Sequence, residues 1–132
     1  MAFVLDTAKE PHSGVVAWKI PGDGEPIEIS FKAIFKRLTQ EKIKQLLEDI
    51  RIAWHGIVDP DSLSDEDRAA EPKSIREMVL RVFDGWEDVE KADGKPLPFT
   101  DASRDDMLSI QGAEVAVLNS WVESISGANT KN

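Results

Sequence analysis

At 132 residues the chain has room for one hydrophobic core and not for two. Its 25 acidic and 16 basic residues give a formal net charge of −9, which opposes binding to phosphate backbones. The absence of cysteine removes disulfides, thiolate nucleophiles and thiolate metal sites together, and no apolar run approaches the ~20 residues that span a bilayer. The opening Met1-Ala-Phe-Val-Leu-Asp is too short and lacks the basic flank of a secretory signal, so the expected compartment is the cytoplasm.

In chain order, Val15 to Phe31 shows a period of two. Val16, Trp18 and Ile20 share one face of a strand, and Ile27, Ile29 and Phe31 share one face of the next, with Pro21-Gly22-Asp23-Gly24-Glu25-Pro26 between them. This spacing predicts a β-hairpin over 15–31, which needs other elements under its apolar face. Phe31, Ile34, Phe35 and Leu38 fit either a short helix or an irregular apolar bridge. From the N-cap candidate Thr39, the residues Ile43, Leu46, Leu47, Ile50 and Trp54 keep a 3.6 period, and Gly56 is a natural stop.

Asp59 to Lys73 is acidic and bounded by Pro60 and Pro72, a solvated connector with room for a turn of helix after Ser64. Ser74-Ile75-Arg76-Glu77 matches a capping box, and Ile75, Met78, Val79, Val82, Phe83 and Trp86 then fall on one helical face. After the turn at Asp93-Gly94, the prolines of Pro96-Leu97-Pro98-Phe99 stiffen a non-helical strap that displays Leu97 and Phe99. Thr100 or Asp101 caps a short helix through Met107 and Leu108, Gly112 breaks it, and a last helix carries Val115, Leu118, Trp121, Val122 and Ile125. The expected fold is α+β and mainly α: a single domain over 1–126, with an N-terminal hairpin packed on a bundle of four or five short helices over 32–126. Residues 127–132 are expected to form a flexible tail.

The search for chemistry returns negatives. His12 and His55 are isolated in sequence and are read as structural. Placing Asp59 at the first position of a calcium loop puts Leu63 at the fifth, Ser64 where glycine belongs and Ala70 where a bidentate glutamate belongs, so that motif fails. Gly22-Asp23-Gly24 precedes no helix start, and no serine sits in a nucleophile elbow. The pairs Asp105-Asp106 and Glu87-Asp88 would diverge by about 100° on a helix. These observations point to a binding protein without cofactor or metal rather than an enzyme. Two features fit recognition of a partner. Trp18, Trp54, Trp86 and Trp121 are a large indole set for this length, either core filling or in part interface anchors. Lys32, Lys36, Arg37, Lys42, Lys44 and Arg51 cluster in one region, either an ordinary solvated face or a surface that steers association or self-association.

Four stretches carry a family likeness: Ile20-Pro21-Gly22-Asp23-Gly24; Phe31-Lys32-Ala33-Ile34-Phe35-Lys36-Arg37-Leu38-Thr39-Gln40; Gly85-Trp86-Glu87-Asp88-Val89 with Asp93-Gly94-Lys95-Pro96-Leu97-Pro98-Phe99-Thr100; and Lys131-Asn132. Together they resemble the tail assembly chaperones encoded beside the tape measure gene of long-tailed bacteriophages and prophages. The resemblance implies a protein of the bacterial host cytoplasm that keeps the tape measure protein soluble, promotes tail-tube assembly and is absent from the mature virion. It also implies a possible frameshifted longer product, made near Lys131-Asn132, that contacts the tail-tube protein. The acidic connector Asp59 to Glu71 is longer than the family pattern. The alternative is a minor tail-completion or head–tail connector protein retained in the virion. The expected partner-binding residues are Trp86, Leu97 and Phe99, with Phe83 at the end of the Ser74 helix, forming a groove for an amphipathic helix. The competing reading has the strap pinning the last helices to the core.

Overall fold

The computed structural model describes residues 10–58, 61, 63–69 and 74–127. The chain is α+β, and among the described residues it has three antiparallel strands, β1 (His12–Ile20), β2 (Ile27–Phe35) and β3 (Phe83–Glu87), and five helices, α1 (Gln40–Val58), α2 (Asp65–Ala69), α3 (Ile75–Leu80), α4 (Asp101–Leu108) and α5 (Ala113–Gly127). The strand order is β1-β2-β3. Gly127, the first residue of the expected 127–132 tail, is instead the last residue of α5, and 128–132, with Lys131-Asn132, lie outside the described residues, as do the connector positions Asp59, Pro60, Ser62 and 70–73.

The hairpin forms, and it is longer than its predicted 15–31 span. In β2 the two-residue period of Phe31 continues through Ala33 and Phe35, both fully buried, so 32–35 is strand rather than helix or bridge. Val16 pairs with Phe31, Gly14 with Ala33 and His12 with Phe35, which sets one side of the sheet against the helices. Gly14 matters here because a Cβ would stand 2.9 Å from Ser120 Oγ and 3.1 Å from the Phe35 ring. Its absence lets α5 approach the sheet closely.

A second correction concerns the Ser74 helix. It starts as expected, with the Ser74 hydroxyl accepting from the Glu77 N–H at 3.0 Å, but it ends at Leu80 instead of reaching Trp86. Val82-Phe83-Asp84-Gly85 is a run of weak helix formers, and the glycine alone costs about 1 kcal/mol in a helix interior. The run forms β3 instead. Phe35 pairs with Phe83 while Ile34 pairs with Gly85, so Asp84 is an extra residue, a β-bulge. The bulge turns Phe83 and Trp86 to the same side of the sheet, although they are three residues apart. A spacing that looks helical is therefore produced by an irregular strand.

The remaining ends obey local chemistry. Thr39 caps α1, its hydroxyl accepting from Lys42 N–H at 3.3 Å, and the helix runs past Gly56 to Val58. Ser64 caps α2. Thr100 and Ser103 form a reciprocal capping box at α4. Gly112 adopts φ +83° at the α4–α5 break, where a Cβ would also meet the Trp18 indole at 3.2 Å. The helix α5 lies along β1 and against α3, and α3 reaches α1. The core between them contains Val16, Phe31, Phe35, Leu46, Met78, Val79, Val117 and Trp121.

Candidate functional site

The residues expected to bind a partner do come together. Phe83 and Trp86 are buried on β3, at 3% and 8% exposure, while Leu97 and Phe99 are half-buried. The Phe99 ring stands edge-on to Phe83 at 5.2 Å and to Trp86 at 4.9 Å, and Phe31 closes the group at 6.2 Å from both. The only polar atom of the Trp86 side chain is already used, its indole N–H donating to the Leu97 carbonyl at 2.7 Å. The strap itself is a small folded-back loop. Asp88, at φ 68°, turns the chain out of the sheet, Leu97 N–H donates to Val89 O at 2.8 Å, and Gly94 closes the tip at φ +84°. Phe31, Phe83, Trp86 and Phe99 form an aromatic cluster facing the core, and Phe99 with the neighbouring Leu97 forms its partly exposed edge.

A different surface is open. The helices α1, α3 and α5 converge on an apolar cleft of about 60 Å³, lined by Ile50, Ala53, Trp54, Ile75, Met78, Val115, Leu118 and Asn119. Asn119 is its one polar residue among those described. Trp54 lines it with 58% of its surface exposed, and Val115, on α5, lines the same cleft with 41% exposed. A second, larger groove of about 610 Å³ runs between β1 and α5, and Val115 and Asn119 line both hollows. Val15, 69% exposed, belongs to this second groove. Among the described residues, three of the five large hydrophobic residues that stay exposed therefore line these two adjoining hollows.

Two arginines near the cleft are held in ion pairs. Arg51, one turn before Trp54, bonds Glu48 and Asp67, at 3.1 Å to the latter, tying α2 to α1. Those bonds hold both carboxylates below their ordinary pKa and push the guanidinium further up. Arg76 on α3 bonds Glu114 at the start of α5 and reaches Asp105 on α4 at 3.9 Å. The exposed ion pairs contribute little stability, but they leave the cleft without unpaired charge on these neighbouring arginines.

Both histidines of the sequence are placed by the fold. His12 lies at the start of β1 beside the Phe35 ring, and its Nε2–H donates to Ser124 Oγ at 2.8 Å, because the Ser124 hydroxyl itself donates to Trp121 O. Its Nδ1 is buried without a partner. Burial, and then the nearby Arg37 charge, hold this imidazole below its ordinary pKa. His55 is half-buried in the last turn of α1. Among the described residues no three His, Asp or Glu side chains gather as a metal site, and no helix is long and apolar enough to cross a membrane.

The sequence places Trp54 on the apolar face of α1, among four candidate indoles, without singling it out. Two signals point to it. The chain carries more indoles than a domain this small buries with ease, and the stripe Leu47, Ile50, Trp54 lies beside the Leu46–Ala53 stripe that enters the core. No family model, curated protein or solved structure matches the chain.

Proposed function

We propose that the protein is a phage tail assembly chaperone that binds the tape measure protein without turnover or cofactor, keeps it soluble and promotes tail-tube assembly. The observation that carries this reading is the exposed Trp54 lining an apolar cleft that adjoins a second groove through Val115 and Asn119. A helical client with an apolar stripe would lay that stripe into the cleft, with the indole as its anchor. The likeness of the four sequence stretches to tail assembly chaperones supplies the client's identity. On this reading the protein acts in the cytoplasm of the bacterial host and leaves the particle before maturation. A frameshifted longer product would add contact with the tail-tube protein, and an AAG codon at Lys131 would exclude the A-rich slippery site that this requires.

The test is co-expression with the tape measure protein encoded beside it. Wild-type protein is expected to raise the soluble fraction of the client and to co-purify with it, and Trp54→Ala to lose both while keeping the wild-type circular dichroism. Retained binding by Trp54→Ala together with loss in Phe99→Ala would move the client to the aromatic strap. Recovery of the protein at stoichiometric level in purified virions would replace the chaperone reading with a retained structural role.

A further inference from the structure

A third surface has the opposite character to the Trp54 face. The basic residues clustered between positions 32 and 51 meet different fates in the fold. Lys32 lies 3.9 Å from Glu87, and Arg51 is held by Glu48 and Asp67. Lys44 lines a shallow hollow together with Glu41 and Glu48. Lys36 and Lys42, both exposed, have no ion-pair partner among the described residues. They converge with Arg81, Leu38 and Gln45 on a groove of about 390 Å³ between the β2–α1 connection, α1 and the end of α3.

This groove has a fixed wall. Asp49 lies beneath it at 8% exposure, accepting from Arg81 Nη1 at 2.6 Å and from Gln45 Nε2 at 3.2 Å. A buried carboxylate thus orients the guanidinium and the amide at the groove, while one of three cationic charges is compensated. Two remain, on a molecule whose net charge is −9. Leu38 supplies an apolar patch between them.

We propose that this groove docks an acidic segment of a different protein, its carboxylates meeting Lys36, Lys42 and Arg81 and an apolar side chain meeting Leu38. Charge complementarity selects the occupant. A short acidic segment carries fewer charges than a polynucleotide or a second copy of net charge −9, so the field of the molecule repels it less, and the leucine favours a peptide over a phosphate polymer. The inference is independent of the tail-assembly reading, because the groove and the Trp54 cleft have no lining residue in common among those described.

The test uses the full chain and a short fluorescein-labelled peptide of alternating glutamate and leucine, monitored by fluorescence anisotropy. Saturable binding is expected, weakened by added salt and reduced about tenfold or more by the double substitution Lys36→Glu and Lys42→Glu. Both side chains are exposed, so the variant should keep the wild-type circular dichroism. Lys19→Glu and Trp54→Ala should bind the peptide as wild type does. Absence of binding to wild-type protein, or equal binding by the double variant, overturns the proposal. So does tighter binding of poly(U) RNA at the same lysines, or wild-type self-association that the double variant abolishes.

Discussion

Trp86 and Trp54 sit in regions built on opposite principles. Trp86 is enclosed by Phe31, Phe83 and Phe99, and its N–H is satisfied by the Leu97 carbonyl. Trp54 lines an apolar cleft and keeps 58% of its surface in water. The difference lies in the element that reaches each indole. Downstream of Trp86 the loop folds back and lays Leu97 and Phe99 over the ring. Beside Trp54 the covering element is α3, which is only 6 residues long and contributes Ile75 and Met78 to the cleft floor. An indole that its own chain covers supports the fold, while one that it leaves open is available to something else.

Substitutions should separate the two regions by size of effect. Trp86→Ala is expected to cost about 3–5 kcal/mol in chemical denaturation, since it empties the aromatic cluster and strands the Leu97 carbonyl. A loss near zero would show that the strap does not seal the core. Gly14→Ala should cost about 1–3 kcal/mol, because the added methyl meets Ser120 Oγ and the Phe35 ring where α5 crosses β1. Wild-type stability in that variant would mean that the α5–sheet contact yields easily.

Acid should act on the same crossing. His12 has a folded pKa below its unfolded value of about 6.5, so between the two values the unfolded chain binds the extra proton. Stability is therefore full above the unfolded pKa, falls as pH drops below it, and levels off once pH passes below the folded value. Denaturation midpoints across this range should show the decline in wild-type protein and a smaller one in His12→Gln. The smallest effect is expected for Trp54→Ala, within about 0.5 kcal/mol of wild type, as for other surface positions. A large loss there would place Trp54 among the core residues and erase the contrast.

Much of the architecture is legible in the sequence, because local signals set it. The alternation around Trp18 and Phe31, and the caps at Thr39, Ser74 and Thr100, each produce the structure their chemistry favours. The third strand is not legible. Phe83 and Trp86 continue the helical spacing of Met78 and Val79, and only the pairing with β2, distant in the chain, reveals the bulge at Asp84. The open cleft is equally hidden. An apolar stripe states that a helix face avoids water, and the partner that meets each part of it is decided by the length and placement of distant elements. Trp54 and Leu46 are both apolar members of α1, yet one is 58% exposed and the other fully buried.

One hydrogen bond bears on how the molecule behaves at high concentration. The Ser120 hydroxyl donates to the Val15 carbonyl at 2.7 Å, across β1 from α5. Among the described residues β1 pairs only with β2, so its far side is a sheet edge on which backbone acceptors would otherwise stand ready for a foreign strand. Ser120 occupies the acceptor near the middle of that edge and works as a guard against edge-to-edge polymerisation.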